Sequence, residues 1–391
     1  MTRFSGRTGW PTESNALSLC HQEKIKNGED IIDLSESNPT RCGFDFLTPP
    51  LLKGLENPAS LLYEPDPHGL LKARLAVCDY YRQKRIALTP EQVFLTSSTS
   101  EAYAFILRLL CDAQDAVLVP RPSYPLFDYL AALNDVDLFR YPLEYGAEGW
   151  RLERATFVSP SDGRPKALVV VNPNNPTGNF VCADERALLN AFCRHSGAAL
   201  ISDEVFLDYG WNGEGDAHSL AGNTETLTFT LSGVSKILGL PQMKLSWMVV
   251  GGPDALRAQA IQRLEVIADT YLSVNTPSQQ ALSAWLEMRG AAQGEIRRRL
   301  AANLQILRGG TDKNSRLLKA QGGWYAVLRV ESGHGDEELA LEALRKQNVL
   351  THPGYFFDFD EGNYLVLSLL PPTARFKEGV ARLYQALAVC V

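Results

Sequence analysis

The stretch Ala167–Val171 reads Ala-Leu-Val-Val-Val and runs directly into Asn172-Pro173. An unbroken β-branched run closed by turn residues describes a strand buried on both faces. It has companions along the chain: VFLT from Val93, AVLVP from Ala116, AALISDE from Ala198, TLTFTLS from Thr226 and WMVVGG from Trp247. Helical patterns separate several of them, one running to Leu110, then PLFDYLAAL, then ERALLNAFCRHS. Strands buried on both faces need helices on both faces. The alternation therefore predicts an α/β domain with a mostly parallel sheet sandwiched by helices.

Past residue 275 the pattern changes. A helical stretch rich in Arg and Ala (QQALSAWLEMRG, EIRRRLAANLQILRG) leads to strand-like WYAVLRV, helical ELALEALRKQ and strand-like YLVLSLL. That order predicts a smaller α+β domain, with the N-terminal segment and its SNPT turn packed on it. We expect a large domain at 46–275 and a small one built from 1–45 and 276–391. A chain of 391 residues exceeds the size at which one core keeps growing, which agrees with two domains. The formal net charge of −7 argues against a nucleic-acid or anionic-membrane surface. Seven scattered cysteines without a C-x-x-C pair argue against a disulfide framework or a zinc site and fit a reducing cytoplasm. No apolar run is long enough to span a bilayer, and MTRFSGRTGWPTESN lacks the apolar centre of a signal peptide, so a cytoplasmic location is expected.

In open α/β sheets, ligands bind beyond the carboxyl ends of the strands. After VFLT comes Ser98-Thr99-Ser100-Glu101, an S-x-x-E capping box opening a helix. Its free amides and hydroxyls suit a phosphate, although alone it reads as a helix cap. After AVLVP comes Tyr124, by itself an ordinary loop tyrosine. After ALVVV comes Asn172-Pro173-Asn174-Asn175-Pro176-Thr177-Gly178, a rigid turn that can offer the Asn175 amide or be a turn and nothing more. After AALIS comes Asp203-Glu204, a carboxylate in an expensive place unless it meets a cation, whether a ligand or some arginine. After TLTFTLSG comes Val234-Ser235-Lys236. A lysine there is either desolvated and nucleophilic or reaches out to solvent.

Taken together, NPNNPTG, SDEV and SK-x-x-GLP resemble the signatures of fold-type I pyridoxal 5′-phosphate (PLP) enzymes, specifically the class I/II, aspartate aminotransferase-like aminotransferases. YEPDPHGLLKAR from Tyr63 and HPGYFF from His352 resemble two further stretches of that family. The resemblance implies a PLP-dependent aminotransferase acting on amino acids and 2-keto acids, and a homodimer with shared active sites. It implies a Schiff base at Lys236, which also shuttles the proton, and Asp203 on the pyridine nitrogen. It further implies Asn175 on the ring hydroxyl, Tyr124 stacked on the ring, and Thr99, Ser100 and Ser235 at the phosphate. Tyr63 would reach the phosphate of the partner subunit's cofactor. No metal is expected.

The sequence departs from the family at four places. Lys244 stands where an arginine usually grips the phosphate, and a lysine acts there as a point charge. Phe206 stands where a tyrosine usually meets the ring hydroxyl, which leaves Asn175 as its main partner. Ser98 replaces a glycine. Val366 stands where the substrate α-carboxylate usually meets an arginine, and valine cannot bind an anion. Arg7, Arg121 and Ser37 are therefore carried as candidate substrate-binding residues, each with an ordinary structural role as the plainer reading. A PLP-dependent lyase, or another biosynthetic enzyme on the same fold, is the alternative reaction. A ligand-sensing domain fused to a DNA-binding module does not fit the length or charge. A nicotinamide site does not fit either, since Gly213-Glu214-Gly215 has no third glycine and follows no buried strand.

Overall fold

The computed structural model describes residues 3–153, 157, 164–211, 219–310 and 314–388, so the Gly213-Glu214-Gly215 stretch lies outside the described residues. Helix α1 (Ala16–Lys26) is capped by the Asn15 side chain, which accepts from the Ser18 N–H at 2.8 Å. Strand β1 (Ile32–Asp33) and helix α2 (Leu71–Gln83) follow. Then come β2 (Val93–Thr96), α3 (Thr99–Leu110), β3 (Ala116–Arg121), α4 (Phe127–Leu133) and the hairpin β4 (Asp137–Gly146) and β5 (Gly149–Leu152). Next are β6 (Ala167–Val171), α5 (Ala183–Ser196), β7 (Ala199–Asp203) and β8 (Thr228–Gly233). A single turn, α6 (Val234–Ile237), leads towards β9 (Ser246–Gly251) and α7 (Asp254–Tyr271).

Among the described residues the large sheet has eight strands, in the order β2-β9-β8-β7-β6-β3-β4-β5. Strands β4, β3, β6, β7 and β8 are parallel. Strand β9 is antiparallel to both β8 and β2, so β2 points the same way as the parallel set. Alternate residues along each strand feed opposite cores. Val169 and Ile201 pack with Ala102, Ile106 and Leu264 of α3 and α7, while Leu168, Val170 and Leu200 pack with Leu189 and Cys193 of α5. Two apolar layers around one sheet explain why β6 is buried at every position.

Helix α8 (Thr276–Gly310) continues for 35 residues and serves two cores. Its first half places Leu282 and Trp285 against Val77 and Tyr81 of α2. Beyond it lie β10 (Ser315–Leu317), β11 (Tyr325–Val330), α9 (Asp336–Gln347), β12 (Val349–Leu350), β13 (His352–Pro353), β14 (Asn363–Ser368) and α10 (Thr373–Leu387). The second half of α8 packs Leu300 and Leu304 with Phe376, Val380 and Leu383 of α10. A smaller antiparallel sheet has the order β10-β11-β14-β13. Strand β1 pairs with β12, which ties the N-terminal segment to this part. Among the described residues no helix is long and apolar enough to cross a membrane.

Candidate active site

The strand directions build the site. Strands β2, β3, β6, β7 and β8 all end at one sheet edge. Strand β9 runs the other way, so it brings its first residue, Ser246, and the preceding Lys244 to that same edge. A cavity of about 500 Å³ opens there. It lies within the range of small-molecule sites, roughly 300–1,000 Å³. Thr99, Ser100, Tyr124, Asn175, Asp203, Ser235, Lys236 and Lys244 all line it, and so does Ser37.

Asp203 and Glu204 are adjacent but face opposite ways. Glu204 turns from the cavity and accepts from Ser202 Oγ, Ser219 Oγ and the Leu220 N–H at 3.0, 2.6 and 2.7 Å. Asp203 faces the cavity, accepting from the Val205 N–H and the Tyr103 hydroxyl, each at 3.2 Å. Burial pushes its pKa up to about 6, against the pull of those two donors and of the Lys236 charge. Burial also pushes Lys236 down to about 8, with Asp203 opposing. The Lys236 ammonium lies 5.4 Å from the centre of the Phe206 ring and 5.0 Å from that of Trp324. These rings exclude water while offering their negative faces. Tyr209 fixes the backbone below, donating to the Lys236 carbonyl at 2.8 Å. Gly233 precedes this turn because a Cβ there would collide with Ser246.

At the head of α3, Ser98 Oγ accepts from the Glu101 N–H at 3.1 Å. The Glu101 carboxylate reaches back to the Ser97 N–H at 2.7 Å, one residue beyond the expected partner. The capping box thus spends Ser98 and Glu101 on the helix. It leaves Thr99 and Ser100 to the cavity, where Lys244 also stands. The Asn172–Gly178 turn is held internally: Asn174 Nδ2 donates to the Pro122 carbonyl at 3.0 Å and to Thr177 Oγ1 at 2.7 Å. Gly178 adopts φ 71°, a conformation that disfavours a side chain, and sits against the Gly322 carbonyl. Asn175 takes no part in that network. Its Oδ1 is buried without a hydrogen-bond partner and borders the cavity.

A family model described as aminotransferase class I and II matches residues 30–381. The chain belongs to that family. It is 26% identical over 390 residues to a glutamate-pyruvate aminotransferase, AlaA, of Haemophilus influenzae, covering 94% of each chain. Its fold is similar to that of an alanine aminotransferase from Pyrococcus furiosus, with a TM-score of 0.87, 25% identity and 99% and 100% of the two chains covered. A shorter likeness, 30% identity over 223 residues, joins it to an S-alkyl-thiohydroximate lyase, SUR1, of Arabidopsis thaliana, covering 56% of this chain and 48% of that protein. The chain is a PLP-dependent aminotransferase.

In this aminotransferase two of the expected cations do not reach the cavity. Arg7 is bound to the Asp135 carboxylate on the surface, its Nε donating at 2.6 Å, because the N-terminal segment runs beside α4. Within one subunit Arg7 therefore stands at the surface and does not line the cavity. Arg121 is taken by the loop after β13, its NH2 group 2.8 Å from an Asp360 oxygen and its Nε donating to the Asp358 carbonyl at 3.0 Å. Tyr63 is 72% exposed and lies away from the cavity within its own subunit. Val366 is buried beside Val327 on the small sheet. The sequence reading missed Tyr103, whose only signal was its place one turn into α3, where a side chain can point back to the strand ends. For Tyr325, Phe356 and Phe357 the sequence allowed either an aromatic pocket wall or small-domain core, the core being the plainer reading, and it gave His352 no role of its own. All four line the cavity.

Proposed function

We propose that Lys236 holds the cofactor and that this cavity carries out the transfer of an amino group from an amino acid to a 2-keto acid. The carrying observation is the meeting of a buried, pKa-depressed Lys236 amine with a buried Asp203 carboxyl in one cavity. The residues present fit PLP. Asp203 suits a cationic ring nitrogen, the unpartnered Asn175 amide suits the ring hydroxyl, and the first turn of α3 with Lys244 suits a phosphate. Tyr124, half exposed at the wall, offers a ring face, and Ser235 adds a hydroxyl beside Lys236.

When bound, the cofactor supplies an electron sink for the carbanion that deprotonation leaves on the substrate. The chain's residues do the rest. Asp203 keeps positive charge on the ring nitrogen it faces. Lys236 Nζ accepts the substrate Cα proton and later returns it. An amine near 8 is matched to that task at neutral pH better than an ordinary lysine.

Alanine and glutamate are the first donors to test, because the matched relatives are named for them. The experiment is a half-reaction panel: the loaded protein is mixed with single amino acids and its cofactor absorbance followed. Conversion to the aminated cofactor with a stoichiometric keto acid is expected. Release of ammonia instead would overturn aminotransfer in favour of the lyase chemistry named in the Arabidopsis relative. A homodimer in the cytoplasm belongs to this reading. Leu61, Leu62 and Tyr63 form an exposed apolar run suited to a subunit contact, from which Tyr63 would reach the partner subunit's cofactor. The domain division at 46–275 is also part of it, with α8 as the spine shared by both domains.

Two substitutions test the roles. Asn175→Ala removes a buried acceptor that has no partner, so the cofactor-free protein should change stability by less than about 1 kcal/mol. Cofactor should then dissociate about tenfold more readily, as for one lost hydrogen bond. Equilibrium dialysis and urea unfolding read the two effects separately. Tyr103→Phe removes a donor to the ionised form of Asp203, so that carboxyl should titrate higher than about 6. In the cofactor-free protein an upward move of about one pH unit in the Asp203 titration, read by NMR or by the pH dependence of unfolding, is expected.

A further inference from the structure

An amino acid brings a carboxylate into this cavity, and its oxygens need N–H or O–H donors once water is displaced. Among the described residues no arginine lines the cavity. Its two lysines are Lys236, at the centre, and Lys244, grouped with Ser98, Thr99, Ser100, Ser235 and Ser246 around the heads of α3 and β9. Arg121 and Arg140, the arginines on the strands nearest this edge, are already held by Asp358, Asp360 and Asp128. The opposite wall comes from the smaller part of the molecule and carries Ser37, Tyr325, His352, Phe356 and Phe357.

The small sheet explains why these donors converge. Tyr325 lies opposite Ser368 and Val327 opposite Val366 in the β11–β14 pair, while His352 lies opposite Val366 in the β13–β14 pair. Residues directly opposite share a face, as do residues two apart on one strand. Tyr325 and His352 therefore stand on the same face, on either side of β14, where Val366 offers only methyl groups. The His352 ring is held by Phe356 at 5.7 Å and Phe357 at 5.8 Å between centroids. Its nitrogens make no hydrogen bond among the described residues, although the residue is partly buried at the cavity wall. Ser37 and Tyr325 stand at the same wall. A half-buried imidazole with no partner, fixed by two rings at the edge of a binding cavity, is a donor waiting for an anion.

We infer that His352, supported by Tyr325 and Ser37, forms the subsite for the substrate carboxylate. This rests on the reading that the amino acid reacts at Lys236. The subsite binds by hydrogen bonds from separate groups, without a bidentate guanidinium. The phenylalanines beside it leave the remaining wall apolar, which suits a substrate side chain of the same character.

The test uses the loaded enzyme and its His352→Phe, His352→Gln and Tyr325→Phe variants. Two readouts are taken: cofactor absorbance on titration with propionate, and single-turnover conversion by alanine against ethylamine, which lacks the carboxylate. Expected for His352→Phe is an approximately tenfold rise in the propionate dissociation constant and in half-saturation by alanine. Ethylamine should be unaffected, and His352→Gln, which keeps an N–H donor, should recover part of the loss. Equal effects on alanine and ethylamine, or none on either, would overturn the assignment. If His352→Phe does not fold, His352→Gln and Tyr325→Phe carry the same comparison with smaller shifts expected. If the unaltered enzyme is converted by no amino acid, the amino-transfer reading fails, and the propionate titration still decides whether His352 holds a carboxylate.

Discussion

Lys236→Ala is expected to lower amino transfer by about 10⁴-fold, since positioned proton transfer alone contributes roughly 10²- to 10⁴-fold and the cofactor's anchor is lost with it. Lys244 is the other lysine of the cavity, but it stands with the serines at the head of α3. Borohydride reduction of the unaltered enzyme should fix cofactor on the peptide containing Lys236, read by mass spectrometry, and the variant should give no label. A label on the Lys244 peptide would refute the assignment. The variant should fold, because the turn is held by the Tyr209 hydroxyl on the Lys236 carbonyl, which alanine retains. The amine's pKa falls from 10.5 to about 8 on folding, so the unfolded chain binds more protons between those values. Its stability penalty is therefore fully present below pH 8 and relieved as pH rises towards 10.5. Removing it should stabilise the cofactor-free protein at pH 7 and do so less at pH 10, which urea unfolding at the two pH values can show. By the same token, capture of cofactor by the unaltered protein should quicken up to about pH 8 and then level off, since the free amine is the nucleophile.

Much of this site was legible because parallel strands bring distant residues to one edge. VFLT, AVLVP, ALVVV and AALIS are apolar at nearly every position and TLTFT is β-branched or apolar throughout, so each strand end could be located and the residue beyond it read as a site residue. The hairpin of β4 and β5 gave no such signal. Strand β4 is mostly exposed, burying only Tyr141 and Leu143, and contains Pro142 just before the residues that pair with β5. The small-sheet wall was illegible for a different reason. Tyr325 and His352 are 27 residues apart and meet only through the pairing of β11 and β13 on β14. Their aromatic neighbours have the composition of a core, and only the register shows that one face of that sheet is a cavity wall. The partner of Arg7 within its own subunit was illegible for a third reason. An N-terminal arginine can reach many carboxylates, and nothing in its sequence context singled out Asp135.

Asp203→Asn is expected to cost about 10³-fold in the rate of transfer, the scale of losing one preorganised electrostatic contact to developing charge. It should also make the cofactor-free protein more stable. The Asp203 carboxyl has its pKa raised from 3.8 to about 6 by burial, so between those values the folded state keeps a proton that the unfolded chain has released. Stability from this group is present below 3.8, is lost as pH rises through about 6, and is absent above it. At pH 8 the buried charge then costs on the order of 3 kcal/mol, a cost that asparagine does not carry. Unfolding of the cofactor-free forms should show the variant ahead at pH 8 and level with the unaltered protein near pH 3.5. Loading should reverse the order. The unaltered protein gains the attraction between Asp203 and a cationic ring, so its Tm should rise more on adding cofactor than that of the variant. Equal gains in Tm for both proteins would mean that Asp203 does not face the cofactor's charge. The unequal gain is what a site built for a cation requires: a carboxylate held in an apolar setting at a loss while the site is empty, and recovered when the ligand arrives.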